Sequence, residues 1–538
     1  MKIPPLESVF LNRSPLPETR NLNRVLVLGG DRTGMDLARR LLGEGFEVVL
    51  LGGSAAEDLD GLTAISGELE EVLGFIGGFD TIIRSSAGLS KERVGFIVAA
   101  PPSQVIAKYS EYGLARSERI MALSELESVL QQGEGLPGPK DQWFHAVFLC
   151  GLEGGSDPSE LDRVLDAIDG LRELYSVQPY IFTRDVKVAA PGMERRYRDA
   201  REEGALFFKF DDVGPTFEQT PKGPLMIFRE PLLRVEMELE PDLLVVDEYR
   251  APPESLKPVI DAIPSGLVSR PFLQPESPRF LSVDTPKAGI YAIGPSRGNP
   301  GTESLVGDFE SVIVALKGAT QGPQRQGLPG PPEIDQARCT ICLTCVRLCP
   351  HGAISFRKRA EVDPWSCVRC GICAAECPVL AITLPPPEGS SDIQARLREA
   401  LSADSGSGKI AAFLCSRSGV HALASAGPRI RENLAPIVVP CAGTIDRADI
   451  LAAFQAGARG VLSVGCHTGN CASIYGTVLA AERSAEAAEM LKEAGIDPNR
   501  ILFATVASNS PADLARAVRE LEQRIGISSD SESRSEER

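Results

Sequence analysis

RVLVLGGDRTGMDLARRLLGEGFEVVLLGG, residues 24–53, reads as an apolar strand, a glycine-rich turn, an amphipathic helix and a second apolar strand. Two short apolar runs joined through a helix favour a parallel pair with a crossover, so this stretch opens a doubly wound α/β fold. Further strands are expected at VGFIVAA (94–100), HAVFLCG (145–151), QPYIFTR (178–184), DLLVVD (242–247) and AGIYAIG (288–294). The C-terminal part alternates more cleanly. IAAFLC (410–415), IVVPC (437–441), GVLSVGC (460–466) and ILFATVA (501–507) are each followed by a helical stretch, which predicts a four-stranded parallel sheet flanked by helices.

The turn GGDRTG (29–34) departs from a dinucleotide fingerprint. Asp31 stands where a second glycine would let the backbone approach a pyrophosphate, and its charge would repel the phosphates. The next strand ends LLGG (50–53) without the acid that binds a ribose hydroxyl. The residues leave two readings open, a nucleotide site and a retained but empty fold.

CTICLTCVRLCP (339–350) and CVRCGICAAECP (367–378) each follow C-x2-C-x2-C-x3-C-P, and every cysteine of the second run lies 28 positions after its counterpart in the first. This internal duplication has the spacing of bacterial ferredoxins, where the fourth cysteine of each run crosses to the other cluster. Cys339, Cys342, Cys345 and Cys377 are therefore expected to hold one [4Fe-4S] cluster, and Cys349, Cys367, Cys370 and Cys373 the other. Soft thiolates suit iron and sulfide, and the short spacing lets one loop wrap three corners of a cluster. A pair of zinc sites is the bland alternative that the duplication disfavours. The runs GAISF (352–356) and LAITL (380–384) are expected to be short strands completing the module.

Four more cysteines lie near predicted strand ends. Cys415, Cys441 and Cys466 each end a strand, and Cys471 is expected to begin the helix after the third. Ligands of open parallel sheets bind beyond the carboxyl ends of the strands, so four thiols would converge on one edge. They could hold a [2Fe-2S] cluster or zinc, or be core residues. His467 is read as a polar residue near a helix start. No constellation of the four histidines with Ser or Asp suggests a hydrolytic site.

The formal net charge of −17, with 56 Lys+Arg against 73 Asp+Glu, excludes a general attraction to nucleic acid or anionic lipid. Thirteen cysteines without an export signal or a long apolar span point to a cytoplasmic metal-binding chain, with docking on a membrane subunit left open. Composition shifts divide it into an N-terminal extension (1–23), a Rossmann-like region (24–317), a Pro/Gly/Gln linker (318–336), the cysteine module (337–386), a second linker (387–408), a C-terminal domain (409–527) and a disordered tail (528–538).

VVPCAGTIDRADILAAFQAGARGVLSVGCHTGNC (438–471) resembles the delta subunit of methyl-viologen-reducing hydrogenase, over about residues 409–526. That resemblance implies a [2Fe-2S] cluster on Cys415, Cys441, Cys466 and Cys471, and electron passage between a hydrogenase and heterodisulfide reductase. The family carries C-x-x-C at its first position, where this chain has Cys415 and Ser418. YIFTRDVKVAAPGMERRYRDAREEGALFF (180–208) and VDTPKAGIYAIGPSRGNPGTESL (283–305), with the ferredoxin module, resemble the A subunit of heterodisulfide reductase. This second resemblance implies FAD held near Gly29, Gly30, Gly34, Gly294 and Gly298, with Arg32 a phosphate contact. The cysteine cluster that the family places after residue 150 is missing, which leaves Cys150 a core residue.

The architecture expected is thus α/β: a Rossmann-like FAD/NAD(P)-binding-type N-terminal region, a bacterial 2[4Fe-4S] ferredoxin module and a C-terminal parallel four-stranded α/β domain. The function expected is an iron-sulfur electron-transfer subunit of a heterodisulfide-reductase-like complex. Its partners would be B- and C-type reductase subunits and a hydrogenase or dehydrogenase donor. The alternatives are a flavoenzyme in its own right and a redox-sensing or scaffold protein.

Overall fold

The computed structural model describes residues 16–526, apart from 18, 53–58, 102–103, 134, 140–141, 153–159, 187, 189–191, 211–212, 222, 231, 233, 265–272, 274–282, 298–301, 322–329, 387–391 and 403–408. Gly298, the tail, most of the N-terminal extension and parts of both linkers lie outside the described residues. The chain divides into two compact units. One comprises residues 1–102, 253–297 and 303–538, and the other 103–252 with 298–302. The Rossmann-like region of the sequence is therefore shared between them.

In the first unit the opening stretch forms the strand Arg24–Leu28, the helix Arg32–Gly43 and the strand Glu47–Leu51. These strands pair in parallel and sit in the sheet order Ile290–Ala292, Phe96–Ala99, Arg24–Leu28, Glu47–Leu51, Leu62–Ile65. Val25, Leu26 and Val27 are buried in a row because helices and loops cover both faces of a parallel sheet. Leu37, Ala38 and Leu41, three and four residues apart, form the helix stripe that packs on it. An antiparallel meander, Gly67–Phe75, Gly78–Ser85 and Gly88–Val94, adds a further sheet that the sequence pattern did not announce.

The cysteine module is built from two antiparallel ribbons. Ile354–Phe356 pairs with Ala360–Val362, and Ile382–Thr383 pairs with Glu333–Ile334, so both expected strands form. Short helices Thr344–Leu348 and Ile372–Ala375 carry the third cysteine of each run.

The C-terminal domain has the expected parallel sheet, in the order Leu434–Val439, Ile410–Cys415, Gly460–Gly465, Ile501–Thr505. The central strand sends Ala411 and Phe413 into one apolar core and Ile410, Ala412 and Leu414 into the other, so helices are needed on both faces.

The second unit carries a parallel sheet of its own, in the order Leu206–Lys209, Val177–Thr183, Phe144–Cys150, Leu243–Val246, Ile120–Ala122. Cys150 is buried at the end of its strand, as expected of a core residue. Burial pushes its thiol well above the ordinary range, with the Glu160 and Asp247 carboxylates adding to the effect. In the same unit Lys108 Nζ lies 2.8 Å from Asp247 Oδ2, which also accepts from the Gly151 amide at 3.0 Å. The side chains of the pair are 4% and 0% exposed. No helix among the described residues is long and apolar enough to cross a membrane.

Removing one member of a buried ion pair leaves the other charge uncompensated, which costs about 3–5 kcal/mol. Lys108→Met is expected to lower the unfolding free energy of the second unit by that amount in urea denaturation. Adding Asp247→Asn should recover most of the loss, since Asn still accepts from Gly151.

Candidate iron-sulfur sites

The duplication in the module extends from the cysteines to the backbone that carries them. The Cys339 amide donates to Asp335 O and the Cys367 amide to Asp363 O, both at 3.0 Å. The Ala353 amide donates to Cys349 Sγ at 3.3 Å and the Ala381 amide to Cys377 Sγ at 3.2 Å. Left-handed backbone recurs with the same offset of 28: Ile341 and Arg369, Leu343 and Gly371, Gly352 and Leu380 all have φ between +51° and +77°. Ile341, Leu343, Arg369 and Leu380 carry side chains that disfavour this conformation, a cost the loops bear in order to present several sulfurs to one point.

The eight thiols line two separate small cavities. One is walled by Cys339, Cys342, Cys345 and Cys377, and the other by Cys349, Cys367, Cys370 and Cys373. These are the two sets expected from the crossing of the fourth cysteine. Burial pushes the thiols of Cys345 and Cys370 up to about 12 and that of Cys349 up to about 11, and holds Cys373 well above its ordinary value. Buried thiols crowded in this way do not ionise unless a positive centre compensates them. Iron-sulfur clusters fit that requirement and the cavities.

At the carboxyl edge of the C-terminal sheet, Cys415, Cys441, Cys466 and Cys471 form one buried cluster of side chains. Cys415 Sγ and Cys466 Sγ are 3.8 Å apart. Two local expectations need correction. Cys441 lies two residues beyond Val439, at the start of the turn Ala442–Thr444, where its Sγ accepts from the Gly443 amide at 3.4 Å. Cys471 does not begin the helix, which runs Gly476–Glu493. The turn between them is needed because Cys471 must point back at the sheet edge. A helix starting at 471 would carry it away. Hydrogen bonding to Cys466 lowers the Cys415 thiol to about 6, and hydrogen bonding to Cys441 and then Cys466 holds Cys471 down as well. Cys441 and Cys466, the partners that keep their protons, are pushed up. Among the described residues no set of three or more His, Cys, Asp or Glu side chains forms a ready site for a single metal ion; what the cysteines form are thiol clusters. His467 is exposed, with Nδ1 lying 3.0 Å from Thr505 Oγ1.

The two thiol regions share a wall. Cys370 packs against the four C-terminal cysteines. The approach depends on missing side chains: a β-carbon on Gly371 would lie 1.6 Å from Thr444 Oγ1, and one on Gly443 would lie 2.7 Å from Ile372 Cγ1. Arg483, only 3% exposed, fixes the contact. Its Nε donates to Glu376 Oε1 at 2.8 Å in the module, and its Nη1 donates to Gly443 O and Ile445 O at 2.8 and 2.7 Å in the C-terminal domain. Sequence reasoning missed this pair, since 107 positions separate its members.

The N-terminal glycine turns meet at one sheet edge. A β-carbon on Gly29 (φ +111°) would lie 2.9 Å from Pro101 N, and Ser296 Oγ donates to Pro101 O at 3.1 Å, two residues from Gly294. A β-carbon on Gly34 would lie 1.7 Å from Gly29 O, so helix start and strand end touch. Two of the amides there are taken. Asp31 caps the helix, accepting from Gly34 N at 3.1 Å, and Asp308 Oδ2 accepts from Gly294 N at 2.7 Å. Gly30 is partly buried in this turn, and the Arg32 side chain is 95% exposed, with Asp36 at 3.8 Å. Asp31 puts a carboxylate at the helix start, which disfavours a pyrophosphate there, while Asp308 is paired with Arg297.

Comparison with known proteins gives two family matches: "Methyl-viologen-reducing hydrogenase, delta subunit" over residues 410–527 and "4Fe-4S dicluster domain" over residues 333–381. The chain is 34% identical over 119 residues to the vhu iron-sulfur D subunit of the F420-non-reducing hydrogenase of Methanocaldococcus jannaschii, covering 22% of this chain and 89% of that protein. It is 28% identical over 322 residues to the A subunit of the ferredoxin/F(420)H(2)-dependent CoB-CoM heterodisulfide reductase of Methanosarcina acetivorans, covering 59% of this chain and 40% of that protein. The chain thus spans two fifths of the length of that relative. Among solved structures, Lactococcus lactis thioredoxin reductase matches with a TM-score of 0.36 and 15% identity, over 55% of this chain and 99% of that one. The family and relative matches bear out the two resemblances read from the sequence, and the parallel sheets bear out the α/β fold class.

Protein released from its fold by acid or heat is expected to yield well under one flavin per chain by fluorescence. Arg483→Ala should cost about 2–3 kcal/mol in the denaturation of the C-terminal domain, less than a fully buried pair because Glu376 keeps a quarter of its side chain in water.

Proposed function

The chain belongs, through residues 410–527, to the family of methyl-viologen-reducing hydrogenase delta subunits, and from that premise we propose that the whole chain is the electron-relay subunit of a heterodisulfide-reductase-like oxidoreductase complex. When bound, two [4Fe-4S] clusters and one [2Fe-2S] cluster supply one-electron carriers. Cys339, Cys342, Cys345 and Cys377 hold the first, Cys349, Cys367, Cys370 and Cys373 the second, and Cys415, Cys441, Cys466 and Cys471 the third.

The observation that carries this reading is the shared wall at Cys370. A thiol of one four-cysteine set packs directly on the other set, and three protein devices keep it there. Gly371 and Gly443 remove the side chains that would part the backbones. Arg483 ties Glu376 to two carbonyls across the junction. The burial of Cys415, Cys441, Cys466 and Cys471 keeps water from the sulfurs. None of this would matter to three isolated structural sites.

A relay has no use for a substrate pocket but needs a donor and an acceptor. The partners are a hydrogenase or dehydrogenase on one side and heterodisulfide-reductase B- and C-type subunits on the other, in the cytoplasm. The names of the relatives support partners of this kind. The A-subunit-like fold then serves as their support, since its helix start is closed by Asp31.

Anaerobically purified protein is expected to carry about ten iron and the matching sulfide per chain. Zinc in place of iron would overturn the reading. Gly476→Ala, whose β-carbon would lie 2.3 Å from Cys441 Sγ, should remove about two of those iron atoms and leave the ferredoxin signals intact in EPR. In stopped-flow reduction, weakening the shared wall with Arg483→Ala should slow electron arrival at the C-terminal site severalfold.

A further inference from the structure

We infer that the basic hairpin tip formed by Arg357, Lys358 and Arg359, beside the first cysteine set, is the docking face for an acidic protein electron carrier. The inference rests on the relay reading of the chain. Strands Ile354–Phe356 and Ala360–Val362 pair as far as Phe356 and Ala360, which leaves the three cations alone on the turn between them, all exposed. The ion pairs that the module makes among the described residues join Arg20 to Asp363 and Arg483 to Glu376, and neither reaches the tip. Ala360, the next residue, is buried and helps to wall the cavity of Cys339, Cys342, Cys345 and Cys377. Its carbonyl accepts from Gln336 Nε2 at 3.2 Å, so the base of the tip is anchored beside that cavity.

The same cavity is where the sulfurs meet water. Cys342 alone of the thirteen cysteines is exposed, whereas the four C-terminal cysteines are all buried. Two apolar side chains stand out from the loops around it. Ile341, in the cavity wall, is 49% exposed, and Leu380, whose amide closes the turn onto Cys377 O at 3.1 Å, is 61% exposed. Their counterparts 28 positions away are Arg369 and Gly352, so the duplicated fold itself does not require apolar residues at these places. Exposed apolar side chains beside a charged rim are the makings of a protein interface. The sign of the rim selects the partner. A chain of net charge −17 repels an acidic protein on average, and within a Debye length of about 10 Å the tip reverses that field at one place. A basic partner would be drawn to the rest of the surface and repelled here. On docking, the carrier loses one electron and the chain gains it, with no bond made or broken.

The test uses the full chain, purified anaerobically with its iron and sulfide measured, and follows its binding to an immobilised acidic flavodoxin in rising salt. Wild-type protein is expected to bind at low ionic strength and to lose affinity steeply as salt is added. Reversing the tip, Arg357→Glu with Lys358→Glu and Arg359→Glu, should keep the iron content, slow association about tenfold and flatten the salt dependence. The helix Met193–Glu202 of the second unit supplies the control, because Arg195, Arg198 and Arg201 are also exposed. Arg195→Glu with Arg198→Glu and Arg201→Glu changes the net charge by the same amount and should leave association as it is in the wild type. Equal slowing by the two reversals overturns the inference, since net charge alone would then account for it. Unaltered association in the tip variant overturns it as well. Binding to phosphatidylserine vesicles that the tip reversal abolishes would assign the tip to a lipid surface and overturn the protein reading. Iron-loaded wild-type protein that ignores flavodoxin at low salt sinks the inference and leaves the relay reading standing, whereas wild-type protein without iron sinks both.

Discussion

Cys441 Sγ occupies the space that a β-carbon on Gly476 would need, and the C-terminal sulfur cluster depends on that missing side chain. Four thiols can meet at the edge of a parallel sheet only if the chain turns sharply after three strands and then returns. Gly476 lets the helix that follows begin against the sulfurs, and Gly443 and Gly371 let the neighbouring module press on the same point. A side chain at any of these positions would push apart groups whose value lies in their nearness. The constraint is steric, and the chemistry is built on it.

Electrostatics follows from the same crowding. Burial makes the thiols of Cys345, Cys349, Cys370 and Cys373 resist ionisation, so gathering them is unfavourable for the metal-free chain. A cationic iron centre reverses that cost, which couples metal loading to stability. Arg483 obeys the same rule from the other side: it is a buried cation at the junction, and it is satisfied by Glu376 and two carbonyls. The N-terminal region shows the opposite arrangement. There Asp31 and Asp308 satisfy the amides of Gly34 and Gly294 internally.

The opening parallel pair, the C-terminal parallel sheet and the spacing of the cysteine runs were legible because each is written locally. Short apolar runs mark the strands, and an offset of 28 marks the duplication. The two cavities follow the same repeat, with Cys377 lining one beside Cys339, Cys342 and Cys345, and Cys349 lining the other. What escaped was non-local or weakly patterned. Ile120–Ala122 and Leu206–Lys209 are too short to show a period, so the second unit's own sheet was not foreseen. The meander from Gly67 to Val94 alternates, but a register shift between Leu69 and Glu71 breaks its pattern. The left-handed Ile341, Leu343 and Arg369 carry no local signal. Only glycine counterparts, Gly371 for Leu343 and Gly352 for Leu380, hint at the conformation.

The interruption of the first unit between residues 102 and 253 has a consequence for how the chain is made. The strand Phe96–Ala99 leaves the ribosome about 190 residues before its neighbour Ile290–Ala292, a separation set by the numbering of the pair they form. During that interval a fully apolar strand stands at the edge of an unfinished sheet, open to pairing with another nascent chain. The inserted unit has its own sheet and cores, so it can fold while the sheet around it waits. Vectorial synthesis thus favours an inside-out order, with the insertion folding before the unit that surrounds it.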